Sequence, residues 1–299
     1  MKQIIFLVIL LAGLLLLTAC EGQKQPTGKG AYIGGTQGVL ANFEPFGVEE
    51  AGVYSLFDTE TFPLEVTVTN KGEYELKAGD VTVKLMGPSK EEMSGISSWD
   101  LKNTGSIEPI SDLLVNGGEE TISFASDAKY TKPVEGILTR EWFANVEYKY
   151  QTYLIIPEVC LKEDLKDTRV CTVEESKSYF VSGAPLTVTS VEESTAGKGI
   201  MALKIKIKNV AGGKATKIGE EFGIQEKLAY TIDDAAWECK QGGSINAAKL
   251  ILGEAEIVCK LKEALAEKTL STKQVKLTFD YAYRDLIQEK LNIKESAKD

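Results

Sequence analysis

The chain contains no histidine. That absence removes Ser-His-Asp and Cys-His nucleophile systems and every histidine-containing metal site. Basic residues are in the minority too: 34 Lys and Arg against 44 Asp and Glu give a net charge of -10. No dominant basic surface remains to collect counterions from nucleic acid, so nucleic-acid binding is not expected. Helical spacing is scarce after residue 35, confined to short stretches near Leu261 to Glu267 and at the carboxyl end. No segment follows the D-x-D-x-D-G calcium loop, and no two cysteines have C-x2-C spacing. What remains is 299 residues, 43% hydrophobic and 26% charged, which excludes global disorder and leaves length for about two domains of roughly 150 residues.

The first twenty residues carry an address. Met1-Lys2-Gln3 is a short positive start, and Ile4 to Leu17 is an uncharged apolar run of fourteen residues. A spanning helix wants about 20 apolar residues, so a cleaved signal peptide over residues 1–19 is favoured over an uncleaved anchor. Leu17-Thr18-Ala19-Cys20 resembles the lipobox of secreted lipoproteins. That resemblance implies acylation of Cys20 on sulfur, a mature chain starting there, and attachment to the extracytoplasmic face of the cell membrane. Two or three acyl chains hold stably where one does not, since each buried CH2 contributes about 0.8 kcal/mol. Residues 20–35 then read as a tether. From Glu21 to Gly35 there are five glycines and no apolar run, giving a coil with an end-to-end distance of about 20 Å. Gly28-Lys29-Gly30 lacks the strand before it and the Gly-Lys-Ser/Thr ending of a phosphate loop.

Beyond the tether the dominant period is two. Phe62, Leu64, Val66 and Val68 alternate with polar neighbours before Asn70-Lys71-Gly72, Val81, Val83 and Leu85 continue the pattern, and Val146 to Ile156 make a longer alternating run. The second half repeats the first. Met201, Leu203, Ile205, Ile207 and Asn209 stand 139 positions after Phe62, Leu64, Val66, Val68 and Asn70. Val146-Glu147-Tyr148-Lys149-Tyr150 recurs 133 positions later as Phe279-Asp280-Tyr281-Ala282-Tyr283. Two matches in the same order argue for duplication. The expectation is an all-β chain: two tandem immunoglobulin-like antiparallel sandwiches, residues 36–158 and 183–299, joined by a linker over 159–182.

The strand running into Asn-x-Gly resembles the adhesion-related sandwich modules called CARDB domains, closely over Phe62 to Leu85 and less so over Leu203 to Gly213, where Val210-Ala211 intervene before Gly212. The pair also resembles uncharacterised archaeal and bacterial envelope proteins. The resemblance implies envelope display and adhesion; its motif is structural and transfers no functional residue.

Candidates for chemistry are few. Cys160, Cys171, Cys239 and Cys259 are an even set in an exported chain and point to disulfides. Three pairings are open, of which local pairing, Cys160 with Cys171 and Cys239 with Cys259, is the simplest; a four-thiolate zinc site is the sharper alternative. Glu192-Glu193, Glu220-Glu221 and Asp233-Asp234 suggest paired carboxylates, yet neighbours on a strand point to opposite faces, so solvated surface is expected. Tyr148, Tyr150, Tyr281 and Tyr283 share the period of buried Val146 and Phe279, which makes them core and not sugar-stacking platforms. Trp99, within the polar run Ser97-Ser98-Trp99-Asp100 and the long insertion from Gly87 to Gly118, is the candidate for an exposed partner contact. No catalytic residue, cofactor or metal is expected. The functional expectation is a lipid-anchored surface binding or adhesion protein for an extracellular protein or glycan. Alternatives are a structural or assembly subunit of an envelope complex and, third, an anchored hydrolase using Asp and Glu alone.

Overall fold

The computed structural model describes residues 30–173 and 176–297; the lipobox and Cys20 lie outside the described residues. Among the described residues there is no helix. The first half supplies β1 (Val39–Phe43), β2 (Val48–Glu50), β3 (Val53–Phe57), β4 (Phe62–Asn70), β5 (Val81–Met86), β6 (Met93–Ser94), β7 (Asp100–Lys102), β8 (Glu119–Tyr130) and β9 (Ile137–Lys162). The second supplies β10 (Phe180–Val181), β11 (Leu186–Gly197), β12 (Ile200–Asn209), β13 (Lys214–Thr216), β14 (Glu226–Ile232), β15 (Trp237–Gln241), β16 (Ser244–Ile245), β17 (Ala247–Leu250), β18 (Glu254–Leu261) and β19 (Leu270–Lys294).

Alternation decides which face is buried. In β4 the side chains of Phe62, Leu64, Val66, Val68 and Asn70 are all buried, and in β12 those of Met201, Leu203, Ile205 and Ile207 are. These strands anchor two small sheets, β1-β4-β8-β6 and β11-β12-β18-β15-β16. Both pack on a third sheet of ten strands to which the two halves contribute together, with β9 and β19 antiparallel at its centre from Ile137 opposite Lys294 to Lys162 opposite Leu270. Apart from β3 beside the end of β19, every ladder among the described strands is antiparallel. The chain is an all-β sandwich.

Each small sheet covers a different length of that central pair. Phe62 of β4 meets Trp142 of β9 edge to face at 6.3 Å, with Phe46 between them and Tyr54. Further along β9, Thr152 Oγ1 donates to the Leu186 carbonyl at 2.8 Å, and Cys160 N donates to Glu193 Oε1 at 2.7 Å, both on β11. The halves meet where Tyr150 lies opposite Tyr281 and Tyr148 opposite Tyr283. All four rings are buried, as their period requires.

Two local expectations change. β9 continues to Lys162, so Cys160 sits inside the strand and the expected linker begins within it. The tether is also shorter than composition suggests: Tyr32 stacks on Tyr153 at 6.2 Å, while Ile33 N and Gly34 N donate to the Glu73 carboxylate at 2.9 Å each. Glycine-rich chain is ordered here because one anion accepts its amides.

Candidate functional site

The insertion from Gly87 to Gly118 is not a free loop. β6 pairs with β8, β7 pairs with β5, and Met93, Asn103 and Ile107 are buried. Asn103 accepts from Val81 N at 2.8 Å and donates to the carbonyls of Lys77 and Gly105 at 2.9 and 2.7 Å. Removing Pro88 to Gly117 would open the sandwich where the β1-β4-β8-β6 sheet covers the shared sheet, because these side chains complete the core there.

Trp99 is half-buried at the edge of that sandwich. Its carbonyl accepts from Leu85 N at 2.8 Å, prolonging the β5–β7 ladder, and its indole stacks on the buried Trp142 with centroids 5.8 Å apart and planes 19° apart. One face of the indole is thereby used for packing. The residue nevertheless borders an open depression of about 550 Å³, lined by Lys84, Lys90, Ile96, Ser97, Ser98 and Asp100 as well. Lys90 Nζ lies 6.0 Å from the Trp99 ring centroid, and no carboxylate oxygen comes within ion-pair distance of it among the described residues. Lys84 Nζ is paired with Glu147 at 3.0 Å, and Glu147 also holds Arg284 at 2.6 Å. Ser98 Oγ is occupied, donating to the Asp100 carbonyl at 2.7 Å.

The other candidates take structural positions. Disulfides join Cys160 to Cys171 and Cys239 to Cys259, the latter directly across the β15–β18 pair. Closing 11- and 20-residue separations contributes about 3 kcal/mol each on the chain-entropy model. Among the described residues no three His, Cys, Asp or Glu converge as metal ligands. Glu220 pairs with Lys217 and Lys227, which lower its pKa through hydrogen bonds, and Asp234 is held low by Lys273 at 2.8 Å. These two pairs behave as surface. Glu193 does not: it is buried, with Oε1 on Cys160 N and Oε2 3.0 Å from Lys177 Nζ, a bridge from β11 to the chain beside the first disulfide. Strand parity correctly puts Glu192 and Glu193 on opposite faces, but only tertiary packing gives the inward one its partners.

Sequence reasoning misses Lys90 and Trp142 as parts of the Trp99 site. Lys90 sits in a charged run that reads as surface, and Trp142 reaches the site from a strand 43 positions away. No protein-family profile, curated protein or solved structure matches this chain.

Proposed function

We propose that the chain is a lipid-anchored binding protein of the extracytoplasmic membrane surface, held through Cys20 and recognising an extracellular partner at the Trp99 depression. The observation that carries this reading is the coincidence of that depression with a tryptophan fixed by Trp142 and a lysine over its ring that has no carboxylate partner. A rigid aromatic contact loses little side-chain freedom on binding, which is why such residues concentrate interface energy. Surface display is what the CARDB resemblance of the strand-to-Asn turns implies. The role is recognition and not catalysis.

The test uses the full-length protein in detergent, immobilised and exposed to envelope extract. Trp99→Ala is expected to weaken partner capture at least tenfold, equivalent to about 1.4 kcal/mol. Lys90→Glu, which leaves the indole stack in place, is expected to do the same. Capture undiminished in both variants, each with a native melting curve, moves the weight elsewhere.

A further inference from the structure

We infer that the Trp99 depression is a subsite for a carboxylate-bearing sugar unit within an extended glycan; this rests on the surface-binding reading above and names its ligand class. The argument starts from the indole. Trp142 is fully buried and covers one face of Trp99 at 5.8 Å, so the ring is held in one orientation with its remaining exposure toward the depression. A flat apolar ring fixed beside solvent matches the C–H face of a pyranose, whose hydroxyls then point outward to the rim. The rim supplies polar partners for them: the exposed Ser97 and the Asp100 carboxylate, neither of whose side chains is engaged by another residue among the described ones.

Lys90 then selects the sugar. Its ammonium lies over the Trp99 ring, 6.0 Å from the centroid and without a carboxylate partner, whereas Lys84 on the same wall is paired with Glu147 at 3.0 Å; a stacking sugar draws this flexible lysine head from the ring to its edge. A cation moved from the ring to its edge is satisfied by an anion carried on the edge of the stacked group, which is where a uronic acid carries its carboxylate. Asp100 is opposite Lys84 in the β5–β7 register, but the Lys84 ammonium is taken by Glu147, so the sugar's carboxylate has to face Lys90 with its hydroxyl edge toward Asp100. The net charge of -10 does not exclude the anion, because exposed charges beyond about 8 Å are screened at physiological salt. The depression is open, which suits one unit of a passing chain better than a small enclosed metabolite.

Titration calorimetry of the full-length protein in detergent tests this, with tetragalacturonate, a glucuronate oligomer and a sialyl oligomer as acidic probes and galactotetraose as the neutral one. At least one acidic probe is expected to bind ten times or more tighter than the neutral oligomer, with the difference shrinking in 0.5 M salt. Lys90→Ala is expected to remove the acidic preference, Lys90→Arg to keep it, and Trp99→Phe to weaken acidic and neutral binding alike. Equal affinity for neutral and acidic oligomers overturns the inference, as does binding of none of the three acidic probes. If none binds while Trp99-dependent capture of an envelope protein persists, the sugar assignment fails and the surface-binding reading stands; if capture fails too, both fall.

Discussion

Tyr150 donates its hydroxyl proton to Asn70 Oδ1 at 3.0 Å, across 80 residues of chain. The same clasp recurs in the second half, where Tyr283 donates to Asn209 Oδ1 at 2.9 Å. In both, the asparagine Oδ1 also accepts the backbone N–H two residues on, and Nδ2 donates to the carbonyl four residues on. Each tyrosine oxygen in turn accepts the N–H of that fourth residue, Tyr74 or Gly213. The duplication is therefore one of hydrogen bonds as well as of strands, and it ties the end of each inner strand to the shared sheet.

Asn70→Ala is expected to destabilise more than Tyr150→Phe. The first orphans the Gly72 N–H, the Tyr150 hydroxyl and the carbonyls of Tyr74 and Ile107. A buried group left unpaired costs about 1–3 kcal/mol, so a loss of roughly 3 kcal/mol or more is anticipated, against about 1 kcal/mol for the phenylalanine variant. Urea unfolding measures both, and equal midpoints would contradict the clasp.

The two halves place their glycines differently around this shared pattern, which gives a second prediction. A Cβ on Gly72 would lie 2.1 Å from the Tyr150 hydroxyl and 2.5 Å from the Gly183 carbonyl oxygen, whereas one on Gly212 meets nothing within 4 Å. Gly72→Ala should cost about 1–3 kcal/mol by overpacking, and Gly212→Ala should stay within about 0.5 kcal/mol of the parent. Adding Tyr150→Phe to Gly72→Ala should rescue only partly, because the Gly183 carbonyl remains. Indistinguishable melting temperatures for the two single alanine variants would remove the steric argument.

Much of this was legible beforehand, and the limits have physical causes. Period two fixes the buried set of β4, β12 and the tyrosine strands because a strand has only two faces. The repeat at 139 positions locates both asparagines, and local spacing finds both disulfides. The sharing of one sheet is not visible, since pairing β9 with β19 is a property of register between distant strands and leaves each strand's own pattern unchanged. The clasp also explains why the second turn looks imperfect. Both turns bond at the second and fourth residues, but the first needs glycine at the second position and the second at the fourth, where a Cβ on Gly213 would lie 2.2 Å from the Arg284 carbonyl oxygen. At the candidate site only Trp99 was readable; its floor and its cation come from elsewhere in the fold.

Alkaline pH should unfold the protein cooperatively. Burial pushes the phenols of Tyr148, Tyr150, Tyr281 and Tyr283 well above the ordinary tyrosine value of 10.0, and pushes Tyr230 up to about 12. A raised folded-state pKa means the folded chain holds its proton longer than the unfolded one. Stability is therefore intact below about pH 10 and falls as pH rises beyond it, by about 1.4 kcal/mol per pH unit for each such tyrosine. Tyrosinate absorbance at 295 nm should rise in two parts, the second coinciding with loss of the far-ultraviolet β signal. Complete ionisation near pH 10 with the β signal unchanged would refute it.

The anchor is tested at one residue. Cys20→Ala should abolish acyl labelling and leave either uncleaved precursor or released protein. Unchanged labelling and detergent partitioning in that variant remove the lipoprotein reading, and membrane retention without label points to a spanning segment.

Glu73 makes the last prediction. Its carboxylate accepts three backbone amides, Ile33 and Gly34 at 2.9 Å each and Gly183 at 2.6 Å, so one side chain fastens the incoming chain to the point where the second half begins. Hydrogen bonds to a charged acceptor contribute about 1.5–3 kcal/mol each, and the Tyr32–Tyr153 stack adds to the fastening. Glu73→Ala should free residues 32–35 without opening the sandwich, whose strands do not depend on that carboxylate. Amide exchange at Ile33, Gly34 and Gly183 is expected to accelerate at least tenfold while Leu154 and Ile205 keep their protection. Glu73→Gln, which keeps the size but loses the charge and one acceptor oxygen, should fall between. Exchange at the three amides unaltered in Glu73→Ala would mean that the carboxylate does not fasten this segment, and acceleration spread equally over Leu154 and Ile205 would mean that the carboxylate supports the whole fold.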